Sequence, residues 1–103
     1  MKKIDKKGRE YVIVRSHDQG VMCGYLINYL GRTVRLANAR QIYRYSSRFV
    51  LPDLAEFGLT KKFKAKLSCE MSEEMILLEA CGIIFCTEKG AASLIEWPAE
   101  NYE

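Results

Sequence analysis

"YVIVRSHDQGVMCGYLINYLGRTVRLANARQIYRYS", residues 11–46, decides the fold. Its first six residues are β-branched and aromatic, which predicts a strand. "HDQG" (17–20) supplies turn chemistry, with Gly20 able to take a positive φ. "VMCGYLINYL" (21–30) predicts a second strand, and Gly24 within it marks a bulge or the close approach of another backbone. "LGR" then closes a hairpin onto residues 33–46. That third segment starts as a strand at Val34 and Leu36. It is interrupted at the small residues Ala37, Asn38 and Ala39, by a bend or bulge, and resumes at "RQIYRYS".

Outward from these strands, "SSRFVLPDLAEFGL" (46–59) predicts a helix from about Pro52, stopped by Gly58, with Ser47 as a weaker cap for an earlier start. "TKKFKAKLSCE" (60–70) alternates lysine with apolar residues and reads as an edge strand or a solvated loop. "EEMILLEACGIIFCT" (73–87) is the longest apolar run and predicts one buried strand kinked at Gly82. "TEKGAASLIEW" (87–97) predicts a short helix capped by Thr87 and ended by Pro98. Residues 1–10 read as a basic flexible terminus and 99–103 as a frayed one. The whole, 1–103, is expected to be a single α+β domain: a small curved antiparallel sheet with two short helices. The pattern G-x-L followed by G-R-x-V-x-L is similar to small barrels of the Sm or SH3 kind and leaves open whether the sheet closes. Such a likeness of fold carries no function.

Hydrophobic residues make up 49% and charged residues 28% of the 103 residues, a composition that folds. No apolar run is long enough to span a bilayer, and no apolar run with a cleavage site follows the basic start. A cytoplasmic, non-membrane protein is expected. Cys23, Cys69, Cys81 and Cys86 lack the close C-x2-C pairing of zinc sites and read as core thiols, with Cys81 and Cys86 in buried strand. No metal and no cofactor are expected. His17 with Cys23 is a weak nucleophile–base pair beside the plainer reading of an exposed turn histidine. Glu73 and Glu74 are adjacent and would face opposite sides of a strand. With no nucleophile elbow, P-loop or dinucleotide fingerprint, no catalytic residue is assigned.

The net charge of +3 hides an asymmetry. Residues 20–52 hold five arginines and no acid, whereas residues 68–103 hold eight glutamates and one lysine. Arg40, Arg44 and Arg48 are spaced by four, which places them on one side of a strand or a helix. Tyr43 and Tyr45 alternate with Arg44. Guanidinium forks hold phosphates and tyrosine rings stack on bases, so Arg40, Tyr43, Arg44, Tyr45 and Arg48 form the candidate ligand-binding set. The plainer reading is a solvated, packed strand face. The opposed charge of the two segments also suggests a symmetric homo-oligomer, with Leu94 and Trp97 as its apolar anchor.

The segments "DQGVMCGYL", "GRTVRLANARQIYRYS" and "FCTEKGAASL" resemble a group of short proteins carried by bacteriophages and prophages, a domain family of unknown function. The resemblance covers residues 11–94 and rests on Gly20, Gly24, Leu26, Leu36, Asn38, Ala39, Arg40, Thr87 and Glu88. Family members often carry tryptophan where this chain has Tyr43 and Tyr45. The resemblance supplies no catalytic residue. It implies a phage accessory protein that acts by binding in the bacterial cytoplasm. Joined to the arginine–tyrosine set, it gives the expected function: a non-enzymatic homo-oligomer sequestering a nucleotide or cyclic-nucleotide immune signal, an anti-defence sponge. The alternatives are a protein–protein inhibitor of a host factor and a nucleic-acid-binding module.

Overall fold

In the computed structural model, residues 5, 7–17, 19–45, 51–59 and 65–99 are described, with the backbone alone at 44, 45 and 65. The opening stretch folds into three antiparallel strands: β1 (Tyr11–Ser16), β2 (Gly20–Leu30) and β3 (Thr33–Tyr45). The turns sit where glycine permits them, with φ of 83° at Gly20 and 58° at Gly31. Then come α1 (Leu51–Phe57), β4 (Ala65–Leu67), β5 (Met75–Leu77), β6 (Ala80–Phe85) and α2 (Glu88–Glu96). The strand order is β4-β3-β2-β1-β6, and β5 pairs with β3 beyond β4.

Two departures from simple alternation shape the sheet. Cys23 pairs with Arg40 and Tyr25 with Ala37, so Gly24 stands opposite two residues, Asn38 and Ala39. This is the bulge expected there, and Asn38 takes the left-handed φ of 55° that asparagine tolerates. A Cβ on Gly24 would lie 2.9 Å from the Ala37 carbonyl oxygen. The bulge reverses which side of β3 the even-numbered residues face. Val34 and Leu36 belong to one core, while Ile42 belongs to the other.

The 73–87 run is not one strand. It breaks at Leu78 and Glu79 into β5 and β6, which attach to opposite edges of the sheet, β5 to β3 and β6 to β1. A two-residue link between the two edges forces the sheet to curl, and it curls without closing into a barrel. The join is stitched by hydrogen bonds from His17 N to Glu79 O (3.0 Å) and from Ala80 N to Arg32 O (2.9 Å). Gly82 is no kink: the irregularity falls at Cys81, skipped between the pairs Arg15–Gly82 and Ser16–Ala80. Cys81 is thereby exposed, as is Cys69, so only Cys23 and Cys86 are core thiols.

Both faces of the central strands are covered. Val12, Val14, Met22, Val34, Leu36 and Leu77 fill the concave side. Tyr11, Ile13, Cys23, Ile42 and Leu67 pack on the other side against Leu54, Ala91 and Leu94 of the helices. Thr87 caps α2 by accepting from Gly90 N at 3.1 Å, and its hydroxyl donates to Glu56 O at 2.7 Å, which ties α2 to α1. Gly58, at φ 82°, ends α1 with its N–H on Leu54 O. The 60–70 segment is an edge strand at Ala65–Leu67, and its outer side bridges Ala99, which was expected to be frayed. Asp5 bonds Arg9 at 2.7 Å, so the described part of the basic terminus is a turn. No helix among the described residues is long and apolar enough to cross a membrane.

Candidate binding site

Of the arginine–tyrosine set, the side chains of Arg40 and Tyr43 are described, and Arg40 does not sit where the four-residue spacing predicts. The bulge turns Arg40 inward, opposite Cys23, and leaves it 3% exposed. Its Nε donates to Ser68 O at 2.8 Å and its Nη1 to Leu94 O at 2.6 Å. Leu94 lies in the last turn of α2, so the guanidinium holds the negative end of the helix. The expected exposure of Arg40 is therefore corrected: its side chain is a buried clamp on α2. A second irregularity follows: Ile42 pairs with Leu67 and Arg44 with Lys66, which leaves Tyr43 as an extra residue. Tyr43 is half-buried. Arg44 and Tyr45 continue the strand in backbone register with Lys66 and Ala65. Arg48 lies outside the described residues.

The opposed charges of the two segments meet within one chain. Arg35 grips Glu74 with two bonds, of 2.6 and 2.7 Å. The hydrogen bonds from Arg35 hold the Glu74 carboxyl below its ordinary range, and the carboxylate raises Arg35 in turn. Asn38 donates to Glu70 at 2.9 Å. Leu94 is fully buried in its own core and Trp97 packs against that core, so the anchor expected between copies is used internally. His17 is exposed on its turn. Among the described residues no three histidines, cysteines or acids gather at metal spacing. Burial raises the Cys23 thiol to about 11 and the Cys86 thiol to about 12, which holds both protonated at neutral pH.

A different site stands at the unclosed seam. The pairing of β1 with β2 ends at Tyr11 and Tyr25, and Leu26 N reaches Glu10 O just beyond. Residues 27–30 of β2 therefore overhang, curving past β1 toward β6. Between the overhang and β6 lies a groove of about 560 Å³, walled by Tyr29, Val34, Ile83 and Phe85, with Arg32, Cys81 and Gly82 at its rim. A second hollow of about 390 Å³ shares Tyr29 and Phe85. Tyr29 is 59% exposed and Phe85 44%, although both are large apolar side chains. Gly82 leaves open space where a Cβ would stand. Such a groove offers apolar area and few polar groups, which suits holding a ligand more than transforming one.

Sequence reasoning passed over these residues because Tyr29 and Phe85 each look like ordinary strand aromatics. The signal was length: β2 spans eleven residues and β1 six, so part of β2 had to lie beyond its partner. A family model described as a domain of unknown function (DUF6948) matches residues 9–94. No curated protein and no solved structure matches the chain. The match takes in every strand and the buried turn of α2, and the chain belongs to that family.

Proposed function

We propose that this domain is a binding module, with no chemistry of its own, that holds an apolar segment of a partner protein in the seam groove. The observation that carries the reading is the pair of exposed aromatic walls, Tyr29 and Phe85, on a groove the fold leaves unfilled. Aromatic residues lining an open groove are the usual anchors of protein contacts. The resemblance to phage- and prophage-carried proteins expected from the sequence favours a bacterial host factor as the partner and an inhibitor's role for the domain. Sequestration of a nucleotide is the weaker reading. It loses Arg40, whose guanidinium is engaged with backbone carbonyls, and keeps only residues 43–48 for phosphates and bases.

A photo-crosslinking residue in place of Tyr29, in bacteria expressing the protein, tests the reading. A discrete adduct is expected from position 29. None is expected from position 88 on the exposed face of α2, and Phe85→Asp should abolish the first. Equal labelling from both positions refutes the groove. Calorimetric binding of a nucleotide that survives Phe85→Asp would put sequestration in its place.

A further inference from the structure

We infer that the seam groove selects a partner segment bearing a carboxylate beside its apolar anchor, and that Arg32 reads the carboxylate. The inference rests on the binding-module reading and adds the chemistry of the partner.

Among the described residues, Arg32 is the one charged residue along the 560 Å³ groove. Its Nε donates to Ala80 O at 3.2 Å, and its Nη2 approaches Cys81 Sγ at 3.8 Å. These contacts fix the plane of the guanidinium against the start of β6 and leave its charge uncompensated. The other arginines with described side chains differ. Arg9 is paired with Asp5, Arg35 with Glu74, and Arg40 serves the carbonyls of α2. Arg15 is exposed and does not line the groove. An oriented guanidinium without a carboxylate, at the edge of an apolar slot, complements an anion with an apolar neighbour. Its planar fork loses little freedom on binding because backbone already holds it. In an extended peptide, side chains two residues apart share a face. One could sit between Tyr29 and Phe85 while the other reached Arg32.

The test uses an acetylated, amidated heptapeptide carrying a central phenylalanine and a glutamate two residues later, titrated into isotope-labelled protein by NMR. Amide shifts are expected at Tyr29, Gly82 and Ile83. Replacing the glutamate by glutamine should weaken binding about tenfold, the ordinary worth of a charged hydrogen bond. Arg32→Gln should weaken the glutamate peptide by a similar factor and leave the glutamine peptide unchanged. Arg32→Lys, which keeps the charge, should retain part of the preference, and its melting temperature checks that the fold survives. Equal binding of the two peptides, or no shifts at all, overturns the inference. So does 4-phenylbutyrate binding as tightly as the glutamate peptide, which would mark a small-molecule site. A Tyr29 crosslink that persists in Arg32→Gln would leave the binding module standing and remove only the carboxylate.

Discussion

Replacing Arg40 by methionine removes the guanidinium and keeps most of the stem's volume. The carbonyls of Ser68 and Leu94 lose their donor, and that of Ile95 a longer contact of 3.5 Å, at a site where the arginine is 3% exposed. An orphaned buried carbonyl costs about 1–3 kcal/mol. Loss of positive charge from the end of α2 adds up to about 2 kcal/mol. The opposing effect is desolvation of the guanidinium, which methionine does not incur, and the stem's packing is retained. The net expectation is a loss of about 3 kcal/mol, a large part of the ~5–15 kcal/mol available to a domain. Urea unfolding followed by circular dichroism should show a lower midpoint at unchanged slope. Arg40→Lys should fall between the two, since one ammonium replaces the fork. A methionine variant as stable as its parent would mean that the carbonyls reach water, and Arg40 would return to the candidates for ligand contact.

Gly24→Ala should lower stability by about 1–3 kcal/mol in the same unfolding assay, because the added Cβ meets the backbone of Ala37 and Ala39, whereas Gly82→Ala should be tolerated. Gly90→Ala should be worse than Gly24→Ala, since its Cβ would press on the Ala55 carbonyl and part the two helices. A thiol reagent should modify Cys69 and Cys81 rapidly and Cys23 and Cys86 only on unfolding, a count that mass spectrometry reads directly. Stability should be level up to about pH 9, the unfolded thiol pKa, and then fall. Cys23 and Cys86 stay protonated in the folded chain to about 11 and 12, so each contributes a loss approaching 1.4 kcal/mol per pH unit until its folded value is passed. Alanine at both positions should make that alkaline limb shallower, while the buried Tyr11 phenol, also raised by burial, keeps a slope of its own above about pH 10.

The central strands were legible because pattern and punctuation agreed. β-Branched and aromatic residues set β1, the apolar run 21–30 set β2, Gly20 and the Gly31 turn set the hairpins, and the small residues at 37–39 marked the bulge. Thr87, Gly58 and Pro98 marked helix ends by chemistry that local sequence contains. The break at Leu78 and Glu79 was hidden since it holds no glycine, proline or asparagine and apolar residues flank it on both sides. Arg40 was misread for a different reason. A bulge inverts the face of every residue after it, and the carbonyls that take the guanidinium lie 28 and 54 positions away, at Ser68 and Leu94. The groove was overlooked for a third reason: it is a gap, and its one trace in the sequence is the unequal length of the strands that make it.

The two-residue link at Leu78 and Glu79 also sets an order of events. Residues 11–45 can form their meander from neighbours in sequence, but the far edge of β3 and the free edge of β1 wait for a single late segment to reach both. Pairings that distant close slowly, after the entropy of a long loop has been lost. During synthesis the meander would emerge first, with two open edges exposed to stray pairing. The clamp comes only when residue 85 has left the ribosome. Lengthening the link with glycines should slow refolding little, since loop entropy grows slowly with length, and would ease the curl that the tight tie imposes on the sheet. The brevity of that tie makes the two late strands dock together, one on each edge.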